Sequence, residues 1–213
     1  MKKFVYFAMI FSLLLSGAAL AQGVAKEPPK DDEYLAMVKQ AMRDPTEVDW
    51  VKLRKLYAQS SFYPESAVML WQAYYTAGKT AAFSKMPDAQ EKFKDMQKQQ
   101  YANYTSHVYS IRLAKETSSD IFDAAQEQQA LEAIADSIVG GGDGKTPATA
   151  FEIVTPDEEK LVVETYLGGT IQSQARSGAP GSSLDTVTYL DPATKKSAKV
   201  YFNTNIITKR AGK

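Results

Sequence analysis

The chain carries one histidine, His107, and no cysteine. Cysteine nucleophiles, cysteine–zinc sites and thiol redox centres are therefore excluded. Metal sites built on two or three histidines are excluded as well, and H-E-x-x-H does not occur. A Ser-His-Asp site would have to use His107, yet neither G-x-S-x-G nor S-x-x-K is present. At 100° per residue, His107 sits roughly 60° round its helix from Tyr104. That places it at the margin of an apolar stripe and predicts a surface or boundary histidine rather than a catalytic one.

Paired carboxylates are the other chemistry to weigh, because two Asp or Glu side chains can cleave a glycan. The chain has 25 acidic residues, so candidates abound and no spacing selects two of them. Most fall at helix starts or on polar faces, where solvation accounts for them. The run "VGGGDGKTPATAFEI", from Val139 to Ile153, ends its glycines with Gly144-Lys145-Thr146. A P-loop reads G-x-x-x-x-G-K-[ST], but here the first glycine position is Val139. The element order is also reversed. A P-loop leads from a strand into a helix N-terminus that meets the phosphate; here a helix comes first and Pro147 follows. The run reads as a helix stop, with Gly140 in the left-handed region, and a turn at Asp143-Gly144. Asp143 alone among glycines lacks the alternating oxygens of a calcium loop. No catalytic, cofactor-binding or metal residue is assigned, and no cofactor is expected.

The elements around these residues fall into two kinds. In "DDEYLAMVKQAMRD", Tyr34, Met37, Val38 and Ala41 fall on one helical face, with Asp31, Asp32 and Glu33 at the favourable end of the dipole. Asp44-Pro45 stops that helix. Thr46 to Asp49 then reads as a capping box with Thr46 as N-cap. Trp50, Leu53 and Tyr57 line the next helix. Pro64 suits a first helical position. Val68, Leu70, Trp71, Tyr74 and Tyr75 line a third helix, closed by Gly78. "TAAFSKM" reads as a short helix before Pro87, and "DAQEKFKDMQKQQ" as a polar helix anchored by Phe93 and Met96. Tyr101, Tyr104, Val108 and Ile111 mark the next stripe, and Leu131, Ile134, Ala135 and Ile138 the last. Residues 31–140 are thus a helical part of five or six helices. Its third segment resembles half a tetratricopeptide unit through Leu70, Tyr74 and Gly78, without a second copy.

After Gly142 strand propensities take over. "AFEIVT", "TIQSQAR", "SLDTVTYLD" and "SAKVYFNTNII" read as strands, with one helix from Pro156 to the Gly168-Gly169 stop. Val200, Phe202, Thr204 and Ile206 alternate with Tyr201, Asn203 and Asn205. "DPATKK" predicts a hairpin, and residues 175–183 a mobile loop. Residues 141–213 are therefore expected to form a small, mainly antiparallel sheet with one helix. The fold class is α+β, with the helical part first.

Ahead of both parts stands "MKKFVYFAMIFSLLLSGAALAQG". A basic start, a short apolar run and small residues ending in Ala21 predict a signal peptide over residues 1–21, cut between Ala21 and Gln22. Residues 22–30, with paired prolines, read as a flexible leader. The expected location is the bacterial periplasm or the exterior, where nucleoside triphosphates are scarce. No second long apolar run follows, so no membrane span is expected after cleavage. Lysine plus arginine number 25, equal to the acids. Loss of Lys2 and Lys3 leaves a slightly acidic chain, without the basic footprint of a nucleic-acid or anionic-membrane binder.

The stretch from Ser137 to Arg176, then "LDTVTYLD" and "VYFNTN", resembles the C-terminal half of an uncharacterised family of exported bacterial proteins. The residues that carry the likeness include Gly142, Asp143, Gly144, Phe151, Glu158, Gln172, Ser173, Asp185, Tyr201, Phe202 and Asn203. The likeness spans roughly residues 135–205; in the first half it is limited to "VDWVKLRKLYAQSSFYP" and helical character. It implies a tetratricopeptide-like half, a small α+β half and export, and no activity.

The functional expectation is a non-enzymatic envelope protein that binds a partner protein or peptide through its helical half. Trp50, Tyr57, Trp71, Tyr74, Tyr75, Tyr101 and Tyr104 cluster there. Core packing is the first use of such rings, but helical grooves also bind through Tyr and Trp. Trp71 and Tyr74 are the positions on which such a surface would be mapped. The alternatives are a cell-wall glycan hydrolase with paired carboxylates, or a small-ligand binder between the two halves.

Overall fold

A computed structural model of the chain describes residues 29–64, 66–84, 86–177 and 183–211. The expected signal peptide, and the leader as far as residue 28, lie outside the described residues. So do residues 178–182 of the expected loop; Ala175, Arg176 and Ser177 belong to a strand instead.

The helical part runs α1 (Asp31–Ala41), α2 (Trp50–Gln59), α3 (Ala67–Phe83), α4 (Pro87–Gln99), α5 (Tyr104–Thr117) and α6 (Ala124–Val139). In α1, Tyr34, Val38 and Ala41 are buried as their spacing predicts. The capping differs from the expected box. Asp44 accepts from the Thr46 backbone N–H at 2.9 Å and caps a short 3₁₀ turn begun by Pro45. Asp49 is itself the N-cap of α2, accepting from the Lys52 N–H at 3.0 Å. A carboxylate outcompetes a hydroxyl for free N–H groups, so the two aspartates take both caps. Pro64 does not begin α3; Ser66 is the N-cap residue. Nor does Gly78 end it. The helix continues to Phe83 and absorbs the expected separate helix. A Cβ on Gly78 would lie 2.5 Å from Leu113 and 3.1 Å from Phe93, so the glycine serves the close approach of α3 to α4 and α5.

The second part runs β1 (Phe151–Glu152), α7 (Asp157–Lys160), a π-helical continuation (Leu161–Tyr166), β2 (Thr170–Ser177), β3 (Leu184–Leu190), β4 (Ser197–Asn203) and α8 (Asn205–Ala211). The sheet order is β1-β4-β3-β2. The β2–β3 and β3–β4 pairs are antiparallel, and β1 lies parallel to β4. The α+β class with a helical N-terminal part holds, as does the hairpin around Asp191. The last strand is shorter than expected: it stops at Asn203, whose side chain accepts from the Asn205 N–H at 3.0 Å. Ile206 and Ile207, read as strand for their β-branched side chains, belong to α8. Gly140 is right-handed at φ −66°, so it does not end α6 in the left-handed region. Gly144, at φ +64°, does form the expected turn.

One buried cluster runs through both parts. It joins Tyr34, Leu53, Tyr57, Ile134 and Ile138 of the helices to Phe151, Leu161, Val163, Val187 and Phe202 of the α+β part. A second cluster, with Trp71, Tyr74, Phe93, Leu113 and Phe122, holds α3, α4 and α5 together.

Candidate functional site

An open groove of ≈ 1460 Å³ runs between the end of α2, the α2–α3 connection and α8. Its apolar lining includes Phe62, Tyr63, Leu70, Ile206 and Ile207; its charged lining is Lys55, Glu152, Asp157, Lys209 and Arg210. Arg210 is fixed in place. Its guanidinium donates to the Ala58 carbonyl at 2.7 Å and the Ser60 carbonyl at 3.1 Å, satisfying acceptors at the α2 C-terminus. It also lies 4.5 Å from the centre of the Tyr63 ring. Tyr63 donates in turn to the Val154 carbonyl at 2.9 Å. Burial, and then the charge of Glu158, push its hydroxyl up to about 12, so it remains a donor.

The groove's other polar groups are more open to exchange. Lys55 and Glu152 pair at 2.6 Å with both side chains more than 40% exposed, a geometry that contributes little to stability and yields readily to other partners. Asp157 accepts from Trp71 Nε1 at 3.3 Å. Thr155 also lines the groove, and its buried hydroxyl has no hydrogen-bond partner among the described residues. The site thus offers apolar surface, a rigid cation on a ring, movable charges of both signs and an unused hydroxyl. Such a lining suits a segment with alternating apolar and polar groups.

Two acids that no sequence spacing selected meet beneath the sheet. Glu158 and Glu159 are adjacent on α7 and are 0% and 3% exposed. The Glu158 carboxylate receives Arg54 Nε at 3.0 Å, Arg54 Nη2 at 2.6 Å and the Val154 N–H at 2.7 Å. Arg54 also donates to Ser137 Oγ and the Glu152 carbonyl, both at 3.1 Å. Glu159 points the other way, to the sheet. Neither of its oxygens has a partner within full hydrogen-bond geometry among the described residues, and the Gln174 amide beside it is only a weak donor. Its near neighbours are Asp185 of β3, then Arg176 and Gln174 of β2. Burial and the facing Asp185 carboxylate push Glu159 up to about 8. Asp185 is 6% exposed and accepts from Arg176 Nε at 3.1 Å. Here are two facing carboxylates, but neither lines the groove.

His107 is not at a surface or boundary; it is fully buried. Its Nδ1 meets Glu127 at 2.5 Å and its Nε2 meets the Tyr101 carbonyl at 2.6 Å. A carbonyl only accepts, so Nε2 carries a proton and offers no lone pair to a nucleophile. The α5 stripe is rotated to match: Ser106, His107, Ser110 and Leu113 face inward, while Val108 is 43% exposed. Polar residues with internal partners took the buried face, which apolar spacing could not foresee. Trp71 and Tyr74 are likewise core residues, 8% and 1% exposed, and so are not the surface on which a partner would be mapped. Asp143 serves its own turn, accepting from the Lys145 N–H and Thr149 Oγ1 at 3.0 and 2.5 Å. Among the described residues no group of three metal-ligating side chains converges. No protein-family model matches this sequence, and no curated protein or solved structure is detectably similar to it.

Proposed function

We propose that the protein is a non-enzymatic binding protein of the bacterial envelope, and that it takes an extended peptide segment of a partner protein in the groove between α2 and α8. The observation that carries this reading is the groove itself: both parts of the chain line it, and Arg210 and Tyr63 are held rigid on one wall. Preorganised walls lower the entropic cost of binding. The N-terminal sequence pattern supports an envelope location, and among the described residues no helix is long and apolar enough to cross a membrane. The facing carboxylates are buried away from the groove, and the two acids that do line it each have a partner, Glu152 in Lys55 and Asp157 in Trp71 Nε1.

The test is site-specific photocrosslinking in envelope extract. A crosslinker at Ile207 should capture one dominant partner, through the same peptide each time, and Arg210→Ala should abolish the adduct. A crosslinker at Met69, which is 72% exposed on α3, should give background only. Equal capture at both positions, or none at Ile207, contradicts the proposal.

A further inference from the structure

Glu159 stands apart from every other acid described here. It is 3% exposed, and both carboxyl oxygens are buried with no partner within full hydrogen-bond geometry. An ionised carboxylate in that state would carry the full desolvation cost of a buried charge. The charged groups that face it come from two strands: Asp185 on β3 and Arg176 on β2, with neutral Gln174 beside them. Arg176 pairs opposite Asp185 in the sheet register and already donates to it. On the far side of α7, Arg54 of α2 is occupied by Glu158. One arrangement satisfies these groups: Glu159 keeps its proton and donates it to Asp185, whose negative charge is held by Arg176.

The backbone next to this pair is irregular. Directly after Lys160 the helix widens into the π-turns of Leu161–Tyr166, closed by bonds such as Leu167 N–H to the Val162 carbonyl at 2.8 Å. Such widened turns are rare in helices and are found frequently at functional sites. Leu161, Val162 and Val163 from this segment belong to the core cluster that joins the two parts.

We propose that Glu159 and Asp185 form a proton-sharing latch: while the shared proton is present it holds the π-helical segment against the sheet, and its loss releases that segment. Ionisation would set two buried negative charges side by side. Relief comes when water enters between the two carboxylates, and that entry parts the π-helical segment from β2, the strand it packs on. The ordinary value for this carboxyl is 4.5 and its folded value lies near 8, so the release falls in the alkaline direction from neutral pH. This latch does not depend on the groove reading; one can fail without the other.

The test is amide hydrogen exchange of the full chain from pH 6 to pH 9.5, corrected for the intrinsic pH dependence of exchange. Residues 159–167 should lose at least tenfold protection as the pH passes about 8, while α3 and α5 stay unchanged. In Glu159→Gln the loss should vanish, and in Asp185→Asn its midpoint should move to lower pH. Protection that is flat in the unsubstituted chain, or that falls equally in Glu159→Gln, overturns the proposal. If a variant does not fold, carboxyl-carbon NMR of Glu159 in the unsubstituted chain decides: a midpoint below 7 overturns the latch, and one at 7 or above supports it.

Discussion

Glu158 and Glu159 are neighbours in sequence, equally buried and placed on one short helix, yet their surroundings are opposite. The first faces the helical part and receives three donors, two from Arg54 and one from a backbone N–H. The second faces the sheet and receives none within full hydrogen-bond geometry. One side of α7 is thus a finished ion pair that joins residues 104 positions apart. The other side is stable only with a proton in place. Burial alone therefore decides nothing about an acid; the donors that converge on it do.

Breaking the finished side should have the largest effect. Arg54→Met leaves Glu158 buried and unpaired, and equilibrium urea unfolding should show a loss of about 3–5 kcal/mol. Arg54→Met combined with Glu158→Leu should recover most of it, since a well-packed apolar pair replaces a buried ion pair at little cost. Full loss in the double variant would mean that the hydrogen bonds to Ser137 and Glu152 dominate instead. Gly78→Val is a control in the other core, where a side chain must displace Leu113 and Phe93. It should cost about 1–3 kcal/mol with no dependence on pH, because no ionisable group lines that contact. Arg176→Gln should have the smallest effect on stability, since that side chain is mostly exposed. It should still raise the midpoint of Glu159 in an NMR titration, because Arg176 is the positive charge that favours ionisation.

The legible parts of this fold are those where burial is apolar and local. The Tyr34, Val38 and Ala41 face of α1 could be read from spacing, as could the Val200–Phe202 alternation of β4. The illegible parts depend on distant partners. Gly78 looks like a helix stop until α4 and α5 are seen packed on it. Ile206 and Ile207 look like strand until Arg210 is seen bound to the end of α2. His107 looks peripheral until Glu127 and the Tyr101 carbonyl close round it. For the groove, the sequence showed only that aromatic residues abound. It did not show that Trp71 and Tyr74 face inward while Phe62 and Tyr63 line the opening. The two facing acids were hidden among 25, because only the pairing of helix with sheet brings Glu159 to Asp185.

The most direct test of the contrast between the two glutamates is urea unfolding of the unsubstituted chain and Glu159→Gln across pH 5 to 9. A carboxyl whose value is raised by folding stabilises fully below its unfolded value, here 4.5. That contribution is lost as pH rises toward the folded value near 8. The unsubstituted chain should therefore lose on the order of 4 kcal/mol between pH 5 and pH 9 relative to Glu159→Gln. Parallel stability curves for the two proteins across that range would contradict the account.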